Sequence, residues 1–148
     1  QNVMFKNKFL ILFTLFSIAI VSCTPDAEEV LEANNLPMKG TQVVPSNESN
    51  GAGTITGKYS KSTKVFTYTV TWTGLSSPLN GMRFYKGARG VNGPAVKNIQ
   101  SSGSAAGSIT ESWTVPDSLR TTLEQGGLYI NIQTDNYPNG EIRGQVEF

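Results

Sequence analysis

Histidine is missing altogether from this 148-residue chain, and cysteine occurs once. Without histidine the chain lacks the commonest general base at neutral pH and the commonest metal ligand. A single thiol forms neither an internal disulfide nor a zinc cluster. Charge of one sign is equally scarce: 12 Lys+Arg stand against 11 Asp+Glu, a formal +1, with no basic run, so nothing marks a nucleic-acid partner. Serine is plentiful, but no histidine is there to activate it. Glu111, Asp135, Glu141 and Glu147 are spaced as ordinary acids of strands and turns rather than as a glycosidase pair. These absences predict no catalytic residues, no cofactor and no metal, and leave a binding or structural module.

What is present divides into a leader, a short acidic stretch and a β-rich domain. Lys6 and Lys8 precede an apolar run from Phe9 to Val21, interrupted only by Thr14 and Ser17. That run is shorter than the roughly 20 residues a transmembrane helix requires, and a charged start before a short apolar core is the pattern of a secretory signal. It ends in Ile20-Val21-Ser22-Cys23, which resembles the lipobox of bacterial lipoproteins. The resemblance implies cleavage after residue 22 and lipidation of Cys23, several acyl chains on one residue giving a durable anchor. Residues 1–22 are therefore expected to be a signal peptide and residues 23–36 an acidic tether, with a short helix over Asp26–Ala33 as an alternative. Acids just after a lipidated cysteine also resemble the surface-export signals of Bacteroidota lipoproteins. The implied place is a bacterial membrane, the outer one by expectation, with the domain exposed at the surface.

Residues 37–148 are expected to form the folded domain. In Val65-Phe-Thr-Tyr-Thr-Val-Thr-Trp72 the residues Phe66, Tyr68, Val70 and Trp72 share one face and Thr67, Thr69 and Thr71 the other, the period of a half-buried strand. Gly53–Ser60 alternates likewise, and the polar link Ser60–Lys64 predicts a hairpin between the two. Further strands are predicted at Met38–Val44, Gly81–Lys86, Ala95–Ile99, Gly107–Thr114, Leu128–Thr134 and Glu141–Glu147. In the penultimate one Leu128, Ile130 and Ile132 are expected inside, with Tyr129, Asn131 and Gln133 facing out. One helix is predicted over Pro116–Gln125, with Leu119 and Leu123 one turn apart and Gly126-Gly127 as its stop. Ser101–Gly107 has the composition of a flexible loop. About eight short strands with one helix predict an all-β, antiparallel Greek-key β-sandwich, a small closed barrel being the alternative.

Two segments carry the richest chemistry. Gly87, Gly90 and Gly93 recur every three residues, but no helix follows them, so a tight loop is predicted in place of a phosphate cradle. Asp135–Gly140 is predicted to be a turn, followed by Glu141 and Arg143 on one strand face. That pair is either directed at a ligand or structural, a salt-linked, partly buried arginine satisfying loop carbonyls; the structural reading is favoured.

Gly40-Thr-Gln-Val-Val-Pro45, Gly51-Ala-Gly53, Gly87-Ala-Arg-Gly-Val-Asn-Gly-Pro94 and Gly140-Glu-Ile-Arg-Gly-Gln145 together resemble the chordin (CHRD) domain family. The resemblance implies a β-sandwich outside the cytoplasm, with Gly87, Gly90, Gly93, Gly140, Glu141, Arg143 and Gly144 as its structural motif. Many bacterial members carry histidines where this chain has Phe84, Lys86 and Gln133. A superoxide-dismutase-like or metal-handling domain that has lost its ligands is therefore the alternative to a binding module. For the binding module, an envelope protein or a glycan is the expected partner besides the membrane. Its contacts are expected from Arg83, Phe84, Tyr85, Lys86, Arg89 and Tyr137, with one of Phe84 and Tyr85 turned into the core. Intact-mass and fragment analysis of the native N-terminus checks the anchor: a diacylated Cys23 is the expected outcome, and an unmodified chain starting elsewhere would refute it.

Overall fold

The computed structural model describes residues 27–148. The expected signal peptide and Cys23 lie outside the described residues. The strands are β1 (Val30–Lys39), β2 (Ala52–Ser60), β3 (Val65–Thr73), β4 (Leu79–Lys86), β5 (Ala95–Gln100), β6 (Gly107–Thr114), β7 (Leu128–Thr134) and β8 (Ile142–Val146), with one helix, α1 (Asp117–Glu124), between β6 and β7. All pairings are antiparallel, in the order β5-β4-β7-β8-β1-β2-β3-β6. The chain crosses between the two halves after β3, β5 and β6, so β6 lies beside β3 and β7 beside β4. This nesting is Greek-key. Between β8 and β1 the ladder narrows to the pair Lys39–Arg143, and the sheet curls there until its halves face each other.

Aromatic rings fill the space between those halves. Tyr68 of β3 meets Phe84 of β4 edge-on at 5.0 Å, Phe66 lies 6.2 Å from Phe84, and Trp113 of β6 covers Phe84 at 5.1 Å. Phe66, Tyr68, Val70 and Trp72 are buried. Outside, the hydroxyls pair across strands: Thr54–Thr71 at 2.6 Å, Thr69–Thr110 at 2.7 Å and Thr67–Ser112 at 2.8 Å. The free edges, β5 and β6, are joined by Lys97 Nζ and Glu111 Oε2 at 3.1 Å, and the Tyr68 hydroxyl donates to the same carboxylate at 2.7 Å. Burial first, and then the bond to Glu111, raise the Tyr68 pKa. The molecule is thus the expected all-β, eight-stranded fold, formed as one curled sheet rather than two separate ones.

The predicted β2–β3 hairpin closes with Ser60 opposite Val65. The helix forms as expected, with Leu123 buried and Gly126 at φ +72 just beyond its end, the left-handed position glycine takes there at least cost. The first strand differs. It was expected over Met38–Val44 but runs from Val30 to Lys39, and Gly40–Gln42 form a 3-10 turn. Val30–Leu36, expected as tether or helix, pair with β2 instead. The pattern is concealed by a bulge at Asn34-Asn35, where the register shifts and Asn35 takes φ 50. Across it, Ala33 and Met38 both reach the core although an odd offset in position would place them on opposite faces of a regular strand. The acids of this stretch are matched in turn: Glu32 pairs with Lys58 at 2.8 Å and Glu29 with Lys61 at 2.6 Å.

The segment with the flexible composition is also tied down. Trp72 Nε1 donates to the Ser104 carbonyl at 2.9 Å, and Gly103 N to the Leu79 carbonyl at 2.9 Å. Because Phe84 is fully enclosed by three other rings, Phe84→Ala is expected to cost about 3–5 kcal/mol of unfolding free energy in chemical denaturation. A loss under about 1 kcal/mol would be that of a surface substitution and would contradict this placement.

Candidate functional site

Antiparallel sheets commonly leave one face to water, but β7 and β8 are covered on both. Tyr129, Asn131 and Gln133, expected to face solvent, are only 2%, 6% and 7% exposed, and Glu141, Arg143 and Gln145 are buried beside them. The cover comes from the segment after β1, the glycine loop between β4 and β5, and the turns on either side of β7. Backbone carbonyls and amides buried under such a cover need partners, and the outer-face side chains supply them. Gln145 Nε2 donates to the carbonyls of Gly87 and Gly126, both at 2.8 Å.

The two charges of this face do not pair with each other. Glu141 accepts from Ser49 Oγ at 2.6 Å, Ser76 N at 2.7 Å, Thr134 Oγ1 at 2.7 Å and Ser76 Oγ at 2.9 Å. Burial pushes its pKa up, but those four donors outweigh it and leave the carboxyl below its ordinary value. Arg143 Nη2 donates to the Ala88 carbonyl at 2.9 Å and to Gln145 Oε1 at 3.1 Å, and its guanidinium lies 3.5 Å over the Tyr129 ring. The arginine thus satisfies a loop carbonyl, as the structural reading expects, but the salt link of that reading is not made and Arg143 is fully rather than partly buried.

Tyr85 of β4 stacks on Tyr129 at 5.2 Å with the rings 11° apart. Together they floor a cleft of about 330 Å³ whose walls include Pro45, Asn92, Asn131, Gln133 and Asn139. The polar groups are pre-set: Gln133 Nε2 donates to the Tyr85 hydroxyl at 2.6 Å, Gly93 N to the Tyr129 hydroxyl at 3.1 Å and Asn92 Nδ2 to the Val44 carbonyl at 2.7 Å. Asn131 Nδ2 donates to the Asn139 carbonyl at 3.0 Å, while its Oδ1 has no partner among the described residues. Two glycines are required by the walls. A Cβ on Gly93 would sit 1.6 Å from the Lys86 carbonyl oxygen, and Gly140, at φ +127, would drive one into Asn131 at 2.3 Å.

The remaining predicted contact residues are spread out. Phe84, expected among the binding residues, is in the core and unavailable, so Tyr85 is the outward member of that pair. Arg83 reaches Gln133 Oε1 at 3.4 Å beside the cleft, and Lys86 is exposed at the end of β4. Arg89 and Tyr137 line two other cavities, of about 210 Å³ each. Of the three positions where the family resemblance implies histidine, Phe84 and Gln133 lie on opposite faces of the sheet, because Phe84 pairs with Ile130 and Gln133 with Gly81. They cannot converge on one metal here. No group of three or more potential metal-ligating acids or cysteines exists among the described residues.

The family model for the CHRD domain matches residues 35–146. The chain belongs to the CHRD family. No curated protein and no solved structure matches it. Membership places the chain in a domain family that is not enzymatic, and it names no ligand. In this CHRD domain the site residues missed by sequence reasoning are Ser49, Ser76 and Thr134, which hold Glu141, together with Tyr129 and Asn131 of the cleft. Ser49 and Ser76 sit in loops without a pattern. Tyr129, Asn131 and Gln133 did carry a signal, since β3 turns threonines to water whereas β7 alternates with long, planar, multiply bonding groups.

Stability linked to a lowered carboxyl pKa is complete above the ordinary value of 4.5 and is lost as pH falls through the depressed one. Unfolding free energy is therefore expected to be level from pH 7 to about 5 and to drop once the pH falls below that ordinary value. Glu141→Gln is expected to cost on the order of 3 kcal/mol at pH 7 and to flatten that acid limb, measured by denaturation across pH. An unchanged acid limb would show that Glu141 does not contribute to it.

Proposed function

We propose that this CHRD domain is a non-catalytic recognition module, tethered to a bacterial envelope through a lipid on Cys23. The observation that carries the recognition reading is the cleft over Tyr85 and Tyr129, a concave site with a few fixed polar groups of the kind small ligands use. Its lining holds no Lys, Arg, Asp or Glu. Such a surface suits an uncharged polyhydroxylated ligand. Carboxamides of Asn92, Asn131, Gln133 and Asn139 both donate and accept, as sugar hydroxyls do, and the face of half-buried Tyr85 turned away from Tyr129 takes the apolar side of a sugar ring. A neutral envelope glycan is therefore the favoured partner. The leader pattern and lipobox support the anchored location.

Immobilised domain is expected to retain neutral envelope saccharides, and Tyr85→Ala with Asn92→Ala to lower that retention at least tenfold. Arg89→Ala with Tyr137→Ala, altering other cavities, is expected to change it less than twofold. Undiminished retention by the Tyr85/Asn92 variant would remove the cleft from consideration.

A further inference from the structure

We infer that the cavity between the segment after β1 and the glycine loop is a second binding site, one for a small oxyanion: a phosphate or a carboxylate. It measures about 210 Å³, and Thr41, Gln42, Arg89, Arg143 and Gln145 contribute to its lining. Two guanidinium groups therefore border one small space whose lining includes no acid.

Arg143 is the stronger half of the argument. It is 1% exposed and forms no ion pair among the described residues. Its neighbours orient it without neutralising it: a backbone carbonyl, the Gln145 carboxamide, a long 3.5 Å contact to Asn92 Oδ1, and the face of Tyr129. These contacts use three of the five guanidinium N–H groups. A buried charge without an opposite charge is costly, and the positive potential here is increased by its surroundings. Arg89 lines the same cavity, and Lys39 is the cross-strand neighbour of Arg143. Burial draws the Arg143 pKa down; Tyr129 opposes that, and the like charge of Arg89 adds to the fall.

Neither acid nearby pairs with Arg143 among the described residues. Glu141, two residues from Arg143, is engaged by its serine and threonine donors. Glu147 binds Arg89 Nη2 at 2.9 Å through exposed side chains, with Gln42 Oε1 3.5 Å from Arg89 Nη1. An exposed pair of this kind is weak, about 0–1 kcal/mol, so an oxyanion can displace Glu147 and bridge the two guanidinium groups, whose planar forks match carboxylate and phosphate oxygens. Only Val44 is common to the lining of this cavity and of the tyrosine cleft, so this site does not rest on the glycan reading.

The test is a titration with inorganic phosphate and with acetate at fixed ionic strength, sodium chloride serving as control, followed by the NMR signals of the arginine Nε–H groups and the Gly90 amide. A saturable shift with either oxyanion and none with chloride is expected, and the one that saturates at lower concentration names the preferred chemistry. Arg89→Gln is expected to weaken binding at least tenfold. Glu147→Gln, which frees Arg89, is expected to tighten it at least threefold, and Lys58→Gln on the remote surface of β2 to leave it unchanged. Tyr85→Ala, which damages the other cleft and touches no guanidinium of this site, should not alter it. Shifts that never saturate, that chloride reproduces, or that persist unchanged in Arg89→Gln would overturn the site.

Discussion

Two buried charges of opposite sign, two residues apart, one just before β8 and one within it, do not neutralise each other. Glu141 and Arg143 are each solvated by neutral dipoles brought from other parts of the chain: serines of the segments before β2 and before β4 for the acid, the glycine-loop carbonyl and Gln145 for the base. The arrangement makes the loops obligatory. Any conformation that lifts them away leaves a charge buried or unsatisfied, at a cost larger than that of most surface contacts. The outer face of β7 and β8 is covered for this reason, while the outer face of β3 is wet.

That cover also sets the walls of the cavities. The glycine loop is held by Gln145 and Arg143 from below and by Tyr129 through Gly93. The turn before β8 is held by Asn47, whose Nδ2 donates to the Gly140 and Glu141 carbonyls at 3.1 and 3.2 Å. Loops fixed in this way lose little freedom when a ligand arrives, and less of the interaction energy is spent on ordering them. The functional surface of the domain is thus a consequence of how its buried charges are satisfied.

Legibility in the sequence followed the simplicity of the environment. β3 was readable because one of its faces meets the core and the other meets water, so Phe66, Tyr68 and Val70 alternate cleanly with threonine. The helix was readable from its stop at Gly126-Gly127. β1 was not, because the bulge at Asn34-Asn35 breaks the period and its acids are balanced by lysines on a different strand. On β7 the alternation correctly separated Ile130 and Ile132 from Asn131 and Gln133, but polarity was taken to mean exposure. Glu141 and Arg143 lay on one face as expected, and their proximity in sequence suggested a direct pair that the geometry does not contain.

The sequence by itself determined the all-β class, the hairpin, the helix, the family and the absence of histidine-based chemistry, because periodicity, turn residues and composition are local properties. Only the tertiary structure decided that the second face of β7 and β8 is dry, that Phe84 is core while Tyr85 floors a cleft, and that Arg89 shares a cavity with Arg143. Those facts depend on which distant loop reaches which strand, and that choice is made by the pairing of buried charges with dipoles that no linear pattern records.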